Sequence, residues 1–221
     1  MGRIKETKRW LWVLAAAAWL ASSEAAPAQV VTFESETPGQ PPRDFEFGLA
    51  GEGGCRWEII ADPTAGGGKA LAQLSTSMAD FRFLVAMYKP VTAANVEVTA
   101  RCKPMSGQAD QACGVIVRAS DPSNYYMARA NALEDNVRFY RVRAGQREQL
   151  ASAEGIKIAR GQWHTLTLNA REDRFTVFFN DKPLHVTTDS TPQPRPLDGR
   201  VGLWVKSDSV TYFDRLEIRK F

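Results

Sequence analysis

Apolar and polar residues alternate in short runs along most of the chain, and Gly, Pro, Asn and Asp separate these runs. After the first 28 residues, no stretch repeats apolar residues at helical spacing over three turns. Many short alternating runs with turn residues between them predict an all-β sandwich or barrel. The predicted strands are 30–33, 56–61, 70–74, 81–88, 95–103, 114–119, 125–131, 136–143, 165–170, 175–180, 184–188, 201–205 and 211–218.

Two predicted turns, at 121–123 and 132–135, set the register of two neighbouring hairpins. Successive side chains of a strand point to opposite faces, and cross-strand partners share a face. One face is then apolar core, and we expect the other to be open to solvent, as an antiparallel sheet permits. We call this second face the polar face. Its members, apart from the apolar Ile116, are Arg118, Tyr125, Met127, Arg129, Asn131, Asn136, Arg138 and Tyr140.

The three cysteines extend this register by one strand. Setting the strand of Cys102 beside that of Cys113 places both thiols on the core side and Glu97 opposite Arg118. This predicts a Cys102–Cys113 disulfide and leaves Cys55 as the odd thiol. A slip of two residues between the strands is compatible with the same pattern.

The first 28 residues have the pattern of a signal peptide. Four basic residues precede an apolar run at 10–21, and Ala26 and Ala28 supply the small residues that a signal peptidase reads. The run is shorter than the roughly 20 residues of a membrane span, although an uncleaved anchor is the alternative. We predict export to the periplasm or the extracellular space, a mature chain from about Gln29, no membrane insertion after cleavage, and one domain over 29–221.

Charge argues against nucleic acid as a partner. The whole chain has 28 basic and 25 acidic residues, a net charge of +3. The leader removes four basic and two acidic residues, so the rest has 24 minus 23, or +1. A nearly neutral domain lacks the basic surface that nucleic acids require.

Three segments resemble a known family. They are D-P-S-N-Y-Y-M-A-R-A-N-A-L-E-D-N-V-R-F-Y at 121–140, G-Q-W-H-T-L at 161–166 and V-G-L-W-V-K-S-D-S-V-T-Y-F-D at 201–214. Together they resemble the bacterial exported 3-keto-disaccharide hydrolases, over residues 33–218. The resemblance implies a two-sheet antiparallel jelly roll of the concanavalin and laminin-G type, related in fold to family 16 glycoside hydrolases.

The resemblance also implies carbohydrate or an oxidised sugar as the ligand. A ketone at C3 acidifies the C2 hydrogen, so a base can remove it, the glycosidic oxygen can leave, and water can add afterwards. Such a reaction needs a carboxylate or histidine base and a cation or metal beside the enolate. The chain lacks the E-x-D-x-E strand of family 16, which disfavours a two-carboxylate mechanism. Arg215 follows Asp214 where such domains often have a second aspartate, which weakens the case for calcium.

The candidate ligand-binding residues are those of the polar face together with Trp204, where planar donors and aromatic rings suit sugars. Trp204 either stacks on a sugar or fills the core. Lys206 and Asp208 are either a catalytic base and acid or an exposed ion pair. Glu97 is either a general base or the salt-bridge partner of Arg118.

The remaining acids and histidines favour structural roles. Glu134 and Asp135 lie in a turn, where acids are common, and His164 begins a strand. His185 has no obvious partner in the sequence, and Asn180-Asp181 is a predicted hairpin turn. No His/Cys cluster has zinc spacing, so the cofactor is unknown; a divalent cation is compatible with the chemistry but is not indicated by ligand spacing. The leading hypothesis is a carbohydrate-active envelope protein that cleaves 3-keto-glycosides by elimination and hydration. A non-catalytic lectin-like module is the alternative, and a structural protein-binding envelope module is the further alternative; the oligomeric state is open.

Overall fold

The computed structural model describes residues 2, 27–192 and 195–221. Nearly all of the predicted signal peptide therefore lies outside the described residues. The described part contains fifteen β-strands and no α-helix, so no helix there could span a membrane. The strands are β1 (Gln29–Val31), β2 (Phe45–Ala50), β3 (Trp57–Ala61), β4 (Lys69–Gln73), β5 (Phe83–Thr92), β6 (Val96–Ser106), β7 (Ala112–Asp121), β8 (Asn124–Asn131), β9 (Asn136–Arg143), β10 (Gln146–Glu154), β11 (His164–Arg171), β12 (Arg174–Phe179), β13 (Lys182–Thr188), β14 (Arg200–Lys206) and β15 (Val210–Lys220).

The strands form two antiparallel sheets packed face to face. Sheet A has the order β13-β12-β11-β6-β15-β4-β3, with β1 paired to β15, and sheet B has the order β10-β9-β8-β7-β14-β5-β2. The predicted all-β, two-sheet jelly-roll sandwich is confirmed. Two strands were not predicted, β2 and β10. The sequence of β10, QREQLASAE, has no β-branched or aromatic residue, so its pairing with β9 and not its own propensity makes it a strand.

The core lies between the sheets, and one disulfide crosses it. Both sulfurs of the predicted Cys102–Cys113 bond are buried. The register behind that prediction is wrong, however. The strand of Cys102, β6, pairs with β11 and β15 in sheet A, whereas the strand of Cys113, β7, pairs with β8 and β14 in sheet B. The bond therefore joins the two sheets through the interior, and Cys55 is free and exposed.

Because β6 and β7 belong to different sheets, Glu97 does not lie opposite Arg118. The carboxylate of Glu97 accepts a hydrogen bond from Asn169 Nδ2 at 2.8 Å and forms an ion pair with Arg219 at 3.4 Å, both within sheet A. The placement of Glu97 on the polar face is therefore wrong. Its charge is already satisfied on the opposite side of the sandwich.

Arg118 also departs from the predicted register. It has φ of 55°, and the β7–β8 ladder is irregular between Val117 and Asp121. Its guanidinium group consequently lies over the ring of the core residue Phe175, with Cζ 5.1 Å from the ring centroid, and its Nε donates to the carbonyl oxygen of Ala94 at 2.7 Å. Arg118 is buried on the interior side and does not share a face with Tyr125.

The outer face of sheet B, which carries the rest of the polar face, is not open to solvent. Met127, Tyr125, Arg129 and Trp204 are at most 1% exposed. Pro122, in the β7–β8 turn, lies against β2: a Cβ added to Gly48 would come within 2.3 Å of its Cγ. The face therefore contains a second apolar cluster rather than a solvated surface.

Candidate functional site

On the outer face of sheet B, hydrogen bonds hold Arg129, Asn131 and Asn136 to each other or to nearby acids. Arg129 donates to Asn136 Oδ1 at 2.7 Å and to Glu134 Oε2 at 2.9 Å. Asn131 Nδ2 donates to Asp110 Oδ1 at 2.6 Å. These contacts leave Arg129 and the two amides largely committed to the fold. Arg138 is the more exposed member and forms ion pairs with Glu134 at 3.2 Å and Glu154 at 3.3 Å.

Lys206 and Asp208 are not a pair. Lys206 forms an ion pair with Asp110, a buried acid whose pKa is raised chiefly by burial although the Lys206 charge opposes that shift. The Asp208 carboxylate accepts hydrogen bonds from the backbone N–H groups of Gln108, Ala109 and Asp110. Asp208 therefore shapes the loop before β7, and the interpretation of Lys206 and Asp208 as an ion pair with each other is wrong. Their role as a catalytic base and acid stays a prediction.

Trp204 fills the second cluster and is fully buried. Its indole packs across Gly114, where an added Cβ would be 3.2 Å from the Trp204 ring. Its Nε1 donates to the Tyr125 hydroxyl at 3.0 Å, and Phe83 stacks on it at 5.6 Å between ring centroids. Of its two open roles, filling a core is the one this geometry supports.

The two histidines do not form a catalytic arrangement. His164 is bound to the carbonyl oxygen of Ala159 at 3.0 Å and to Asn180 at 3.3 Å. Burial lowers the pKa of His185. Over the described ranges, no three His, Cys, Asp or Glu side chains are grouped so that they could hold a metal ion.

The β9–β10 hairpin brings a partly buried arginine, Arg147, to the outer face of sheet B. Its tight turn places Ala144 at φ 46° and Gly145 at φ 76°, the two positive values of a type I′ turn. Arg147, just after the turn, reaches over two rings of the second cluster, with Cζ 4.7 Å from the Phe83 centroid and 5.0 Å from the Tyr140 centroid. Burial lowers the pKa of Arg147, since the cation lies in a poorly hydrated place.

Arg141, on the other strand of the same hairpin, is neutralised. Its Nη1 donates to both Asp189 oxygens, at 3.0 and 2.7 Å, and its Nη2 donates to Glu148 at 2.5 Å. The Tyr126 hydroxyl donates to Asp189 at 2.5 Å. Burial alone would raise the pKa of Asp189, but these hydrogen bonds and the Arg141 charge lower it overall. Burial and the same contact with Asp189 raise the pKa of Tyr126 to about 12.

A cavity of about 810 Å³ opens between the β7–β8 turn, the β9–β10 turn and the loop at 195–198. Ligand pockets in proteins commonly have volumes of a few hundred to about a thousand Å³. Polar side chains on its wall include Ser120, Asn124 and Gln146, and Pro196 and Leu197 supply apolar surface. Its charged wall residues are Arg141, Arg143, Arg147, Arg195, Glu148 and Asp198.

None of the residues predicted to catalyse or to bind ligand lines this cavity. Arg118 lines a neighbouring cavity of about 440 Å³, and Asp208 lines another of about 450 Å³. The sequence signal that could have located the cavity is the Ala144-Gly145 turn. Recognising it would have predicted β10 and placed Arg147 on the same face as Tyr140.

The fold is that of a jelly-roll sandwich, and the family match gives its class: a carbohydrate-related domain. Residues 37–219 match the family described as the 3-keto-alpha-glucoside-1,2-lyase-like domain, and the chain belongs to that family. No curated protein matches the chain.

Solved structures with the same fold include two from carbohydrate biology. The carbohydrate-binding module CBM66 from Bacillus subtilis is 20% identical, with a TM-score of 0.58 over 76% of this chain and 91% of that chain. Domain 4 of AbnA, an extracellular arabinanase from Geobacillus stearothermophilus, is 15% identical, with a TM-score of 0.53 over 89% and 94% of the two chains. At these identities the likeness establishes a shared fold.

Proposed function

We propose that this protein binds carbohydrate in the cavity between the β7–β8 turn, the β9–β10 turn and the 195–198 loop. The observation that carries the proposal is the coincidence of that cavity with a dense set of planar hydrogen-bonding groups, in a chain whose family is carbohydrate-related. The covered outer face of sheet B offers no comparable opening at Trp204 or Tyr125, which are fully buried.

The wall chemistry suits a sugar ring. Sugar hydroxyls need donors and acceptors in fixed directions, and guanidinium and amide groups supply them. The C–H faces of the ring need apolar surface, which Pro196 and Leu197 provide. Gln146 is exposed beside the turn, so its amide is free to turn toward a ligand hydroxyl.

Turnover of a 3-keto-glycoside in the same cavity is the second candidate function. It is favoured by Glu148, whose side chain is 55% exposed while its carboxylate is held by Arg141. Glu148 would remove the C2 proton and return it to the glycosidic oxygen as the C1–O bond breaks and the C1–C2 double bond forms. Water would then add across that double bond. A neighbouring guanidinium group would stabilise the enolate oxygen at C3.

Calorimetric titration with a panel of disaccharides tests binding. Gln146→Ala should weaken binding about two- to tenfold, the usual contribution of one neutral hydrogen bond. Gln162→Ala, an exposed change beyond the cavity, is the matched control and should have no effect. Failure of every disaccharide to bind would contradict the proposal.

Assay of a 3-keto-glycoside separates an enzyme from a binding module. Glu148→Gln should abolish elimination and keep binding, whereas Glu217→Gln, which changes a partly exposed acid of sheet A, should leave both intact. Binding without turnover in the wild type would identify a lectin-like module.

We also propose that the protein is exported and that its mature chain begins near Gln29. The support is the leader pattern in the sequence. N-terminal sequencing of periplasmic or secreted material tests this. Recovery of a chain that starts at Met1 in the membrane fraction would contradict it.

A further inference from the structure

A second cavity, of about 440 Å³, lies beside the one to which we assign the sugar. Its volume is within the range of ligand pockets in proteins. Its wall combines the β5–β6 turn, the β11–β12 turn and a buried arginine of β7, through Ala94, Asn95, Glu172, Asp173 and Arg118. The cavity therefore has room for a further part of a ligand.

One loop separates the two cavities and belongs to both. Arg195 and Leu197 contribute to each wall, and Leu197 is 50% exposed. Burial is the main cause of the lowered pKa of Arg118, and the charges of Asp173 in the second cavity and Asp198 in the first oppose it. Because acids of both cavities act on the same guanidinium group, the two cavities lie side by side. A sugar chain that leaves the first cavity over Leu197 enters the second.

The second cavity has hydrogen-bonding side chains of both kinds. Asn95 Oδ1 accepts a hydrogen bond from the backbone N–H of Glu172 at 2.7 Å, which fixes the amide in the wall. That bond uses the amide oxygen and leaves the two N–H donors of Asn95 for a ligand. Asp173 is partly exposed and supplies carboxylate acceptors. A sugar hydroxyl both donates and accepts, so it can pair with either side chain.

The charges of the second cavity disfavour an anionic ligand. Glu172 and Asp173 both line it and would repel a carboxylate or phosphate. The Arg118 side chain does not offset them at the surface, because it is 1% exposed and its Nε is committed to the carbonyl oxygen of Ala94. A neutral sugar unit is therefore the kind of ligand that this wall fits.

We infer that the carbohydrate bound by this protein is longer than a disaccharide, and that a neutral unit of the same sugar chain occupies the second cavity, bonded to Asn95 and Asp173. The inference rests on the proposed function and specifies the length of its ligand. Leu197 provides the apolar surface between the two positions.

Calorimetric titration with oligosaccharides of increasing length tests the inference. The probes are malto-, cello- and laminari-oligosaccharides of two, three and four glucose units, together with the longer homologues of any other disaccharide that binds. In the series that binds, the tri- or tetrasaccharide should bind at least about fourfold more tightly than the disaccharide. Two added hydrogen bonds should contribute about two- to tenfold each.

Two variants locate the added unit. Asn95→Asp keeps the oxygen that accepts from Glu172 but loses the donors, and Asp173→Ala removes the acceptors. Each should weaken binding of the longer oligosaccharide about two- to tenfold, while affinity for the disaccharide changes less than twofold. Asn180→Asp is the matched control and should keep the gain. Asn180 Oδ1 likewise accepts a backbone hydrogen bond, from Thr165 at 2.9 Å, but at the other end of β12.

If Asp173→Ala does not fold, Asn95→Asp decides. Equal affinity for two, three and four units, or a gain that survives undiminished in these variants, would overturn the inference and leave the proposed function standing. Absence of binding by any disaccharide of the larger panel would instead remove the proposed function, and the inference with it.

Discussion

Arg141 and Arg147 flank the same turn and line the same cavity, yet their surroundings are opposite. Arg141 is held by Asp189 and Glu148, whereas Arg147 rests on two aromatic rings without a carboxylate. A buried guanidinium group with two carboxylates is part of the architecture. Arg147 is only partly buried and contributes less to the fold, because ring contacts hold a cation without cancelling its charge.

Of the changes that test this comparison, the largest loss of stability is expected at Asp189. In Asp189→Ala the Arg141 guanidinium, only 2% exposed, would lose its principal partner and Tyr126 would lose its acceptor. We expect the free energy of unfolding to fall by about 3–5 kcal/mol, the usual result of removing one member of a buried ion pair. Urea unfolding measures this. A loss below about 1 kcal/mol would show that Glu148 alone suffices for Arg141.

Acid should weaken the same pair. The pKa of Asp189 is lower in the folded protein than its ordinary value, so its contribution is present above the unfolded pKa, about 3.9. That contribution is lost as pH falls through the lower folded value. Urea unfolding of wild type and Asp189→Asn should therefore differ most above about pH 5 and converge toward pH 2. A difference that persists undiminished in acid would contradict this.

Loss of Glu148, the exposed partner of Arg141, should reduce stability much less. Glu148 is 55% exposed, and ion pairs open to solvent contribute roughly 0–1 kcal/mol. We expect Glu148→Gln to reduce the free energy of unfolding by no more than about 1 kcal/mol. A double-mutant cycle with Asp189→Asn would then report how far the two carboxylates depend on each other.

The smallest effect is expected at Arg147. Arg147→Met loses the ring contacts of a cation but removes the cost of a partly buried charge, so the free energy of unfolding should change by less than about 1 kcal/mol in either direction. Thermal unfolding of Arg147→Met beside wild type checks it. A destabilisation as large as that of Asp189→Ala would mean that Arg147 is a structural residue.

Local patterns in the sequence predicted much of the fold. The turns at 121–123 and 132–135 and the Asn131–Asn136 register are as expected, and Asn180 and Asp181 adopt the positive φ of a hairpin turn. Alternation within a strand and the residues of a tight turn are determined by neighbours in the chain, so a single sequence contains them. The prediction of one domain for 29–221 stays a prediction, which a single thermal transition would support.

Long-range placement could not be predicted in the same way. Alternation predicts that Cys102 and Cys113 both face the core. It does not distinguish two neighbouring strands of one sheet from two strands that face each other across the sandwich, because the side chains point inward in both cases. The irregularity that redirects Arg118 depends on a backbone conformation, φ of 55°. The burial of Tyr125 and Trp204 depends on contacts between strands that are distant in the chain, such as that of Trp204 with Phe83. Pro122 and Arg147 also reach their contacts across several strands.

The most direct test of the account is a crystal structure of the protein with a disaccharide that it binds in calorimetric titration. We predict the sugar in the cavity between the β7–β8 and β9–β10 turns, with a ring hydroxyl within hydrogen-bond distance of the Gln146 amide. A sugar bound elsewhere on the sandwich would contradict the account.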